Sequence, residues 1–193
     1  MRLEIFDKKA TLSARVIAQV VRFVEGFSPD IIKVFLYRKE FFGERFQGKF
    51  HDVMCDGTLW THGERELMAA FVSGKNKCRY CTDAHRATAA QIVGDTIAQA
   101  VVIDASTAPI SHQLRAALVF LEKLTISPRD VDAGDIARLR EAGLSYEQIE
   151  SAVEVCVQFC IVNRLADTFG FRLQSPKQLA NEGKTLATKK YKF

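Results

Sequence analysis

Apolar residues along this chain recur at three- and four-residue spacings and hardly ever alternate, which predicts helices and no sheet. Val16, Val20, Val21 and Val24 fit one face of a first helix. Ser28-Pro29-Asp30 reads as a start signal, a capping serine with proline at the first helical position. Ile31, Ile32, Val34, Phe35 and Leu36 follow it, and Phe41, Phe42, Phe46 and Phe50 carry the register across Gly43 and Gly48. Thr61-His62-Gly63-Glu64 fits a capping box ahead of Leu67, Met68, Phe71 and Val72, in a helix expected to stop near Gly74. The next helix is predicted over 78–93, ending at Gly94. Ser111 opens a run with Leu114, Leu118, Leu121 and Leu124, and Ser127-Pro128 starts a segment around Ile136 and Leu139. Ser145-Tyr146-Glu147-Gln148 is a second capping box. It opens the longest periodic run, through Ile149, Val153, Val157, Ile161 and Leu165 to Gly170. Ser175-Pro176 begins a short last helix or tail. All four prolines lie at starts or in connections, where a missing N–H costs little. The fold class expected is all-α and multihelical, in a single domain. Residues 58–170 form its core, 1–57 a helical extension packed on that core, and 171–193 a basic C-terminal segment.

Composition narrows the picture. With 193 residues, 48% of them hydrophobic and 26% charged, the chain has ordinary globular usage, which excludes wholesale disorder and rods. No apolar stretch approaches the roughly 20 residues that span a bilayer. The N-terminus, MRLEIFDKKA, lacks the apolar run of a secretory signal, so the expected location is the cytoplasm. The net charge of +4 is unevenly spread. Residues 172–193 hold Arg172, Lys177, Lys184, Lys189, Lys190 and Lys192 against Glu182 alone, a balance of +5 that leaves −1 for the rest. A body-wide basic groove for nucleic acid is therefore not expected, and the tail reads as a solvated end.

Five cysteines, an odd number in a chain without an export signal, point to thiols, metal ligands or catalytic groups rather than a disulfide framework. In KNKCRYCTDAH, Cys78, Cys81 and His85 stand at i, i+3 and i+7, along one stripe of a helix. Asn76 is placed to cap that helix, which puts the two sulfurs in its first turn. There free N–H groups, the helix dipole and the cations Lys75, Lys77 and Arg79 favour thiolate. His85, one turn beyond Cys81, is a candidate proton carrier, because an imidazole titrates near neutral pH. It needs an orienting carboxylate. Glu64 is occupied by the Thr61 capping box, which leaves Glu66, either as a solvated residue or as a buried acid paired with His85. Two blander readings stand beside this one. The thiols could be core packing, or zinc could be held with a fourth ligand from His62, His51 or Cys55, although none has a finger spacing.

The segment ERELMAAFVSGKNKCRYCTDAHRATAA resembles the core of the AhpD-like alkylhydroperoxidase and carboxymuconolactone decarboxylase superfamily. The family pattern is a glutamate, a C-x-x-C beginning twelve residues on, and a histidine four beyond the second cysteine. Glu66, Cys78, Cys81 and His85 match it. The stretch Asn163–Gly170 resembles the family's ending, and residues 1–57 resemble the N-terminal extension of the peroxidase-related branch. The resemblance implies an AhpD-like helical bundle that assembles into homo-oligomers, often trimers or hexamers. It also implies a thiol-dependent peroxidase acting on a small-molecule peroxide and recycled by an external dithiol reductant, with no cofactor or metal. By that resemblance Cys81 is the peroxidatic nucleophile, Cys78 resolves it, and Glu66 and His85 relay the proton. Dipole reasoning alone favours Cys78 as the more acidic thiol. Characterised alkylhydroperoxidases carry a second histidine between the cysteines, where this chain has Tyr80. The dithiol argues against lactone decarboxylation. The alternative from another class is a redox sensor or disulfide-exchange module without efficient peroxide turnover.

Elsewhere, Cys156 and Cys160 read as small buried hydrophobes on the long helix. Cys55 sits in a polar connection. Asn163 and Arg164 are placed for inter-helix or inter-subunit contacts. The phenylalanines between 23 and 50 suit core or subunit interface better than a substrate entrance.

Overall fold

The computed structural model describes residues 6, 8, 10–37, 40, 44–55 and 58–191, the side chains of residues 24, 25, 44 and 47 excepted. Phe41, Phe42 and Gly43, the side chain of Val24, and Lys192 therefore lie outside the described residues. Among those described there are only helices and connections: α1 (Leu12–Glu25), α2 (Asp30–Tyr37), α3 (Glu44–Cys55), α4 (His62–Lys75), α5 (Arg79–Val93), α6 (Asp95–Asp104), α7 (His112–Ile126), α8 (Ala133–Glu141), α9 (Tyr146–Phe169) and α10 (Pro176–Lys189). Among the described residues, no helix is long and apolar enough to cross a membrane.

The caps fall where side chains can satisfy the first free N–H groups. Thr61 and Ser145 form reciprocal capping boxes with Glu64 and Gln148, and Ser111 accepts from Leu114. Ser28 does not cap: α2 begins at Asp30, and the Ser28 hydroxyl has no hydrogen-bond partner among the described residues. Ser127 opens only a 3-10 turn, and Asp132 caps α8. Helix α6 is an element the apolar pattern does not announce, entered through Gly94 at φ +92°.

Antiparallel α4 and α5 are joined by a turn in which Lys77, at φ +60°, takes the left-handed position that Gly74 was expected to supply. The Cys78 N–H then closes the turn onto Ser73 O at 3.0 Å. Helix α4 is buried almost along its whole length, with α5, α6, α7, α9 and α3 packed around it. Its Arg65 is buried because it donates to the carbonyls of Trp60 and Val53. On α9 the core face is Ala152, Val155, Cys156, Phe159, Val162 and Ala166, whereas Val157 and Ile161 are exposed. A strict four-residue spacing drifts by about 40° per step around a helix of 3.6 residues per turn, so the expected stripe spirals off the core.

The C-terminal segment is not a solvated end. Helix α10 packs along α5 with Glu182, Gly183 and Leu186 buried. A Cβ on Gly183 would lie 2.7 Å from Ala87 O, so the two backbones touch. The chain then turns through Lys190 and Tyr191, both at positive φ, with Lys190 O 2.5 Å from His51 Nδ1. This turn drives the Tyr191 side chain inward.

Candidate functional site

Helix α4 supplies Glu66 one turn after its capping box, with no exposed surface. Three donors meet its carboxylate. His85 Nδ1 of α5 lies 2.7 Å from Oε2, while Tyr191 Oη lies 2.5 Å and His62 Nε2 3.2 Å from Oε1. Burial opposes ionisation of Glu66. Electrostatic attraction to the His85 imidazole and the hydrogen bonds from His62, His85 and Tyr191 outweigh it and hold the carboxyl at about 2. Glu64 is spent on Thr61. Bonding through Nδ1 directs the His85 ring, which is clamped edge-on against Phe159 (4.4 Å between centroids) and near-parallel to Tyr191 (13°). Both hydrogen-bond contacts of the ring among the described residues are made by Nδ1, to Glu66 and to Tyr191.

Cys78 is the N-cap of α5 and Cys81 its third residue. Asn76 is not the helix cap; it ends α4, donating its N–H to Val72 O. Both thiols are buried, and neither belongs to a disulfide. They differ in access. Cys81 lines an apolar cavity of about 110 Å³ together with His85, Tyr80 and Tyr191, and Cys78 is not among its lining residues. The thiolate expected at Cys81 is not the resting state: its hydrogen bond with Cys78, then burial, push its pKa well up, and a hydrogen bond with Asn163 only partly offsets them. Asn163 of α9 is held by Ser73 at 3.0 Å and by Asn76 at 2.9 Å, which makes it an inter-helix contact.

Among the described residues, no three His, Cys, Asp or Glu side chains converge to hold a metal ion. Cys156 is buried as expected. Cys160 is half-buried, and its pKa is drawn down by a hydrogen bond from Cys156 and further by Asn76 and Arg164. It packs against the hydrophobic core. Phe50 belongs to the hydrophobic core, Phe35 packs against it and Phe27 is buried, as expected, and all three also line the cavity beside Cys81.

Two residues at the carboxylate were missed. His62 had a signal, since it stands four residues before Glu66 on one helix. Tyr191 had almost none: an aromatic residue in a lysine-rich tail, separated from Glu66 by 125 positions.

Neither protein-family models nor curated proteins matched the sequence. Solved structures did. The chain is similar to an uncharacterized peroxidase-related protein with an alkylhydroperoxidase AhpD core from Ralstonia eutropha JMP134, at 27% identity and a TM-score of 0.74, over 90% of this chain and 91% of that one. It is similar to an uncharacterized peroxidase-related protein from Silicibacter sp. TM1040, at 23% identity and 0.78, over 92% and 93%. A debrominase in its apo form aligns at 16% identity and 0.67, over 89% and 91%. The Glu66–His85 segment and these whole-chain superpositions agree: the chain has the all-helical AhpD-like fold of the peroxidase-related proteins.

Proposed function

We propose that the chain is a thiol-dependent peroxidase in which Cys81 attacks, Cys78 resolves, and Glu66 and His85 move the proton. The observation that carries this reading is the pairing of a fully buried carboxylate with His85 at 2.7 Å, beside a cavity that His85 and Cys81 both line. A thiol whose pKa is pushed up needs a general base to react, and a carboxylate-anchored imidazole is one. Access supports Cys81 over the dipole argument for Cys78, because Cys81 faces the cavity.

In the proposed cycle His85 takes the proton of Cys81. The thiolate attacks the distal oxygen of a hydroperoxide and the O–O bond breaks. Cys81 is oxidised to the sulfenic acid, and the departing alkoxide takes the proton from His85 to leave as the alcohol. Cys78 then displaces water from the sulfenic sulfur to form the Cys78–Cys81 disulfide. An external dithiol reduces that disulfide by exchange and is itself oxidised.

Stopped-flow measurement with hydrogen peroxide and an organic hydroperoxide tests the cycle. Wild-type protein loses two thiols per peroxide, Cys81→Ser loses none at this pair, and Glu66→Gln slows the reaction roughly 100-fold. Equal rates for wild type and Cys81→Ser overturn the proposal. A redox sensor without efficient turnover is the second reading, favoured by the complete burial of Cys78, which shields the disulfide from a reductant. A single burst that does not cycle under excess dithiol selects it.

A further inference from the structure

A polar cavity of about 710 Å³ lies between α1, the start of α2 and the segment joining α9 to α10. Its lining includes Arg15, Arg22, Lys33 and Arg172, with Asp30 as the one carboxylate among the described lining residues. Asp30 is already matched, by Lys33 Nζ at 2.9 Å and by the Arg172 backbone N and guanidinium at 3.0 and 3.1 Å. Among the described residues of the lining, four cationic side chains stand against one carboxylate, a formal excess of positive charge.

Among the described residues, four buried side-chain polar atoms lack a hydrogen-bond partner, and three of them belong to this lining: Ser28 Oγ, Tyr80 Oη and Gln174 Oε1. Leaving a buried polar atom unpaired costs about 1–3 kcal/mol, so three around one space mark a place built to be filled. Tyr80 Oη is a donor, because burial holds the phenol in its protonated form. Tyr80, Phe27 and Pro29 also line the apolar cavity that holds Cys81 and His85, so the polar and apolar spaces share a wall at Tyr80.

We propose that the polar cavity is an anion-recognition site for the carboxylate of an aliphatic acid, whose chain lies in the adjoining apolar cavity beside Cys81. Tyr80 and Ser28 donate to the carboxylate, and Arg22 supplies charge from the last turn of α1. Gln174 Oε1 accepts from a ligand hydroxyl or a bridging water, while its amide nitrogen is held by Glu182. Ile31, Phe35, Phe50 and Leu186 enclose the chain. Such a ligand fits the chemistry above as a hydroperoxide carried on the chain of an acid. That extension rests on the peroxidase reading; the binding itself does not.

Calorimetric titration of the reduced full chain with octanoate, octanol, acetate and inorganic phosphate is the test. Octanoate binds at least about tenfold more tightly than octanol, and acetate and phosphate bind weakly. Arg22→Ala and Tyr80→Phe each weaken octanoate about tenfold and leave octanol within about twofold. Equal affinity for octanoate and octanol, or octanoate binding unchanged in both variants, overturns the proposal. Phosphate competing as strongly as octanoate overturns the aliphatic-acid assignment. Repeating the titration with Cys78→Ser/Cys81→Ser protein separates the readings: binding survives there even if peroxide consumption is absent from the wild type.

Discussion

Glu66 is a carboxylate with no contact with water, a placement that is unfavourable unless the charge is paired and hydrogen-bonded. His85, Tyr191 and His62 provide that pairing from three segments of the chain. Tyr191 is itself buried, and burial and the nearby Glu66 charge push its pKa well up, so its hydroxyl stays a donor. Glu66 titrates at about 2 in the folded protein against 4.5 unpaired. A depressed carboxyl contributes stability that is complete above the unfolded value and is lost as the pH falls toward the folded one. Acid unfolding should therefore begin below about pH 4.5 and proceed toward pH 2. Tyr191→Phe keeps the ring 5.2 Å from that of Phe50 but removes one donor to the charge. It should cost about 2 kcal/mol at neutral pH and move the acid midpoint upward. Circular dichroism during acid titration checks this, and superimposable curves for the two proteins would show that the hydroxyl does not hold Glu66.

Helix α10 acts as a strap. It delivers Tyr191 only because it lies flush on α5, and Gly183 is what permits that approach. Gly183→Ala gives opposite signs for a free and a docked helix. A free helix gains about 1 kcal/mol from alanine propensity. A docked one meets the Ala87 carbonyl and loses about 1–3 kcal/mol to displacement. Urea denaturation of Gly183→Ala against exposed Lys184→Ala reads the sign, and a more stable Gly183→Ala protein would mean that α10 stands off the core. This strap was the least legible element. Capping boxes at Thr61 and Ser145 and the spacing of Cys78, Cys81 and His85 are local chemistry, so they could be read from the chain. That Gly183 replaces a side chain with a neighbouring backbone, or that Tyr191 reaches Glu66, depends on tertiary packing with no nearby sequence signal. The outward turn of Val157 and Ile161 is of the same kind, since periodicity sets which residues share a face but not which face meets the core.

At the scale of the molecule, α1 divides into three strips. Ala14 and Ala18 pack inward, Arg15, Gln19 and Arg22 flank the polar cavity, and Leu12, Val16, Val20 and Phe23 face outward. The outward residues run from 53% to 91% exposed and form one continuous stripe at helical spacing. Of the valines expected to share the buried face of α1, Val16 and Val20 are left in water, whereas Val21 is half-buried and lines the apolar cavity. Covering a Phe or Leu of this kind is worth about 1.5–3 kcal/mol each, and an apolar stripe flanked by charge marks an association surface. We propose that its occupant is the same stripe of a second copy, since a stripe of this kind is self-complementary across a two-fold axis. Sedimentation velocity should find an assembly larger than 21.7 kDa. Val16→Asp with Val20→Asp, substituted at exposed positions, should dissociate it without lowering helical content. A wild-type monomer, or an assembly unchanged by both aspartates, would remove this face from the oligomer.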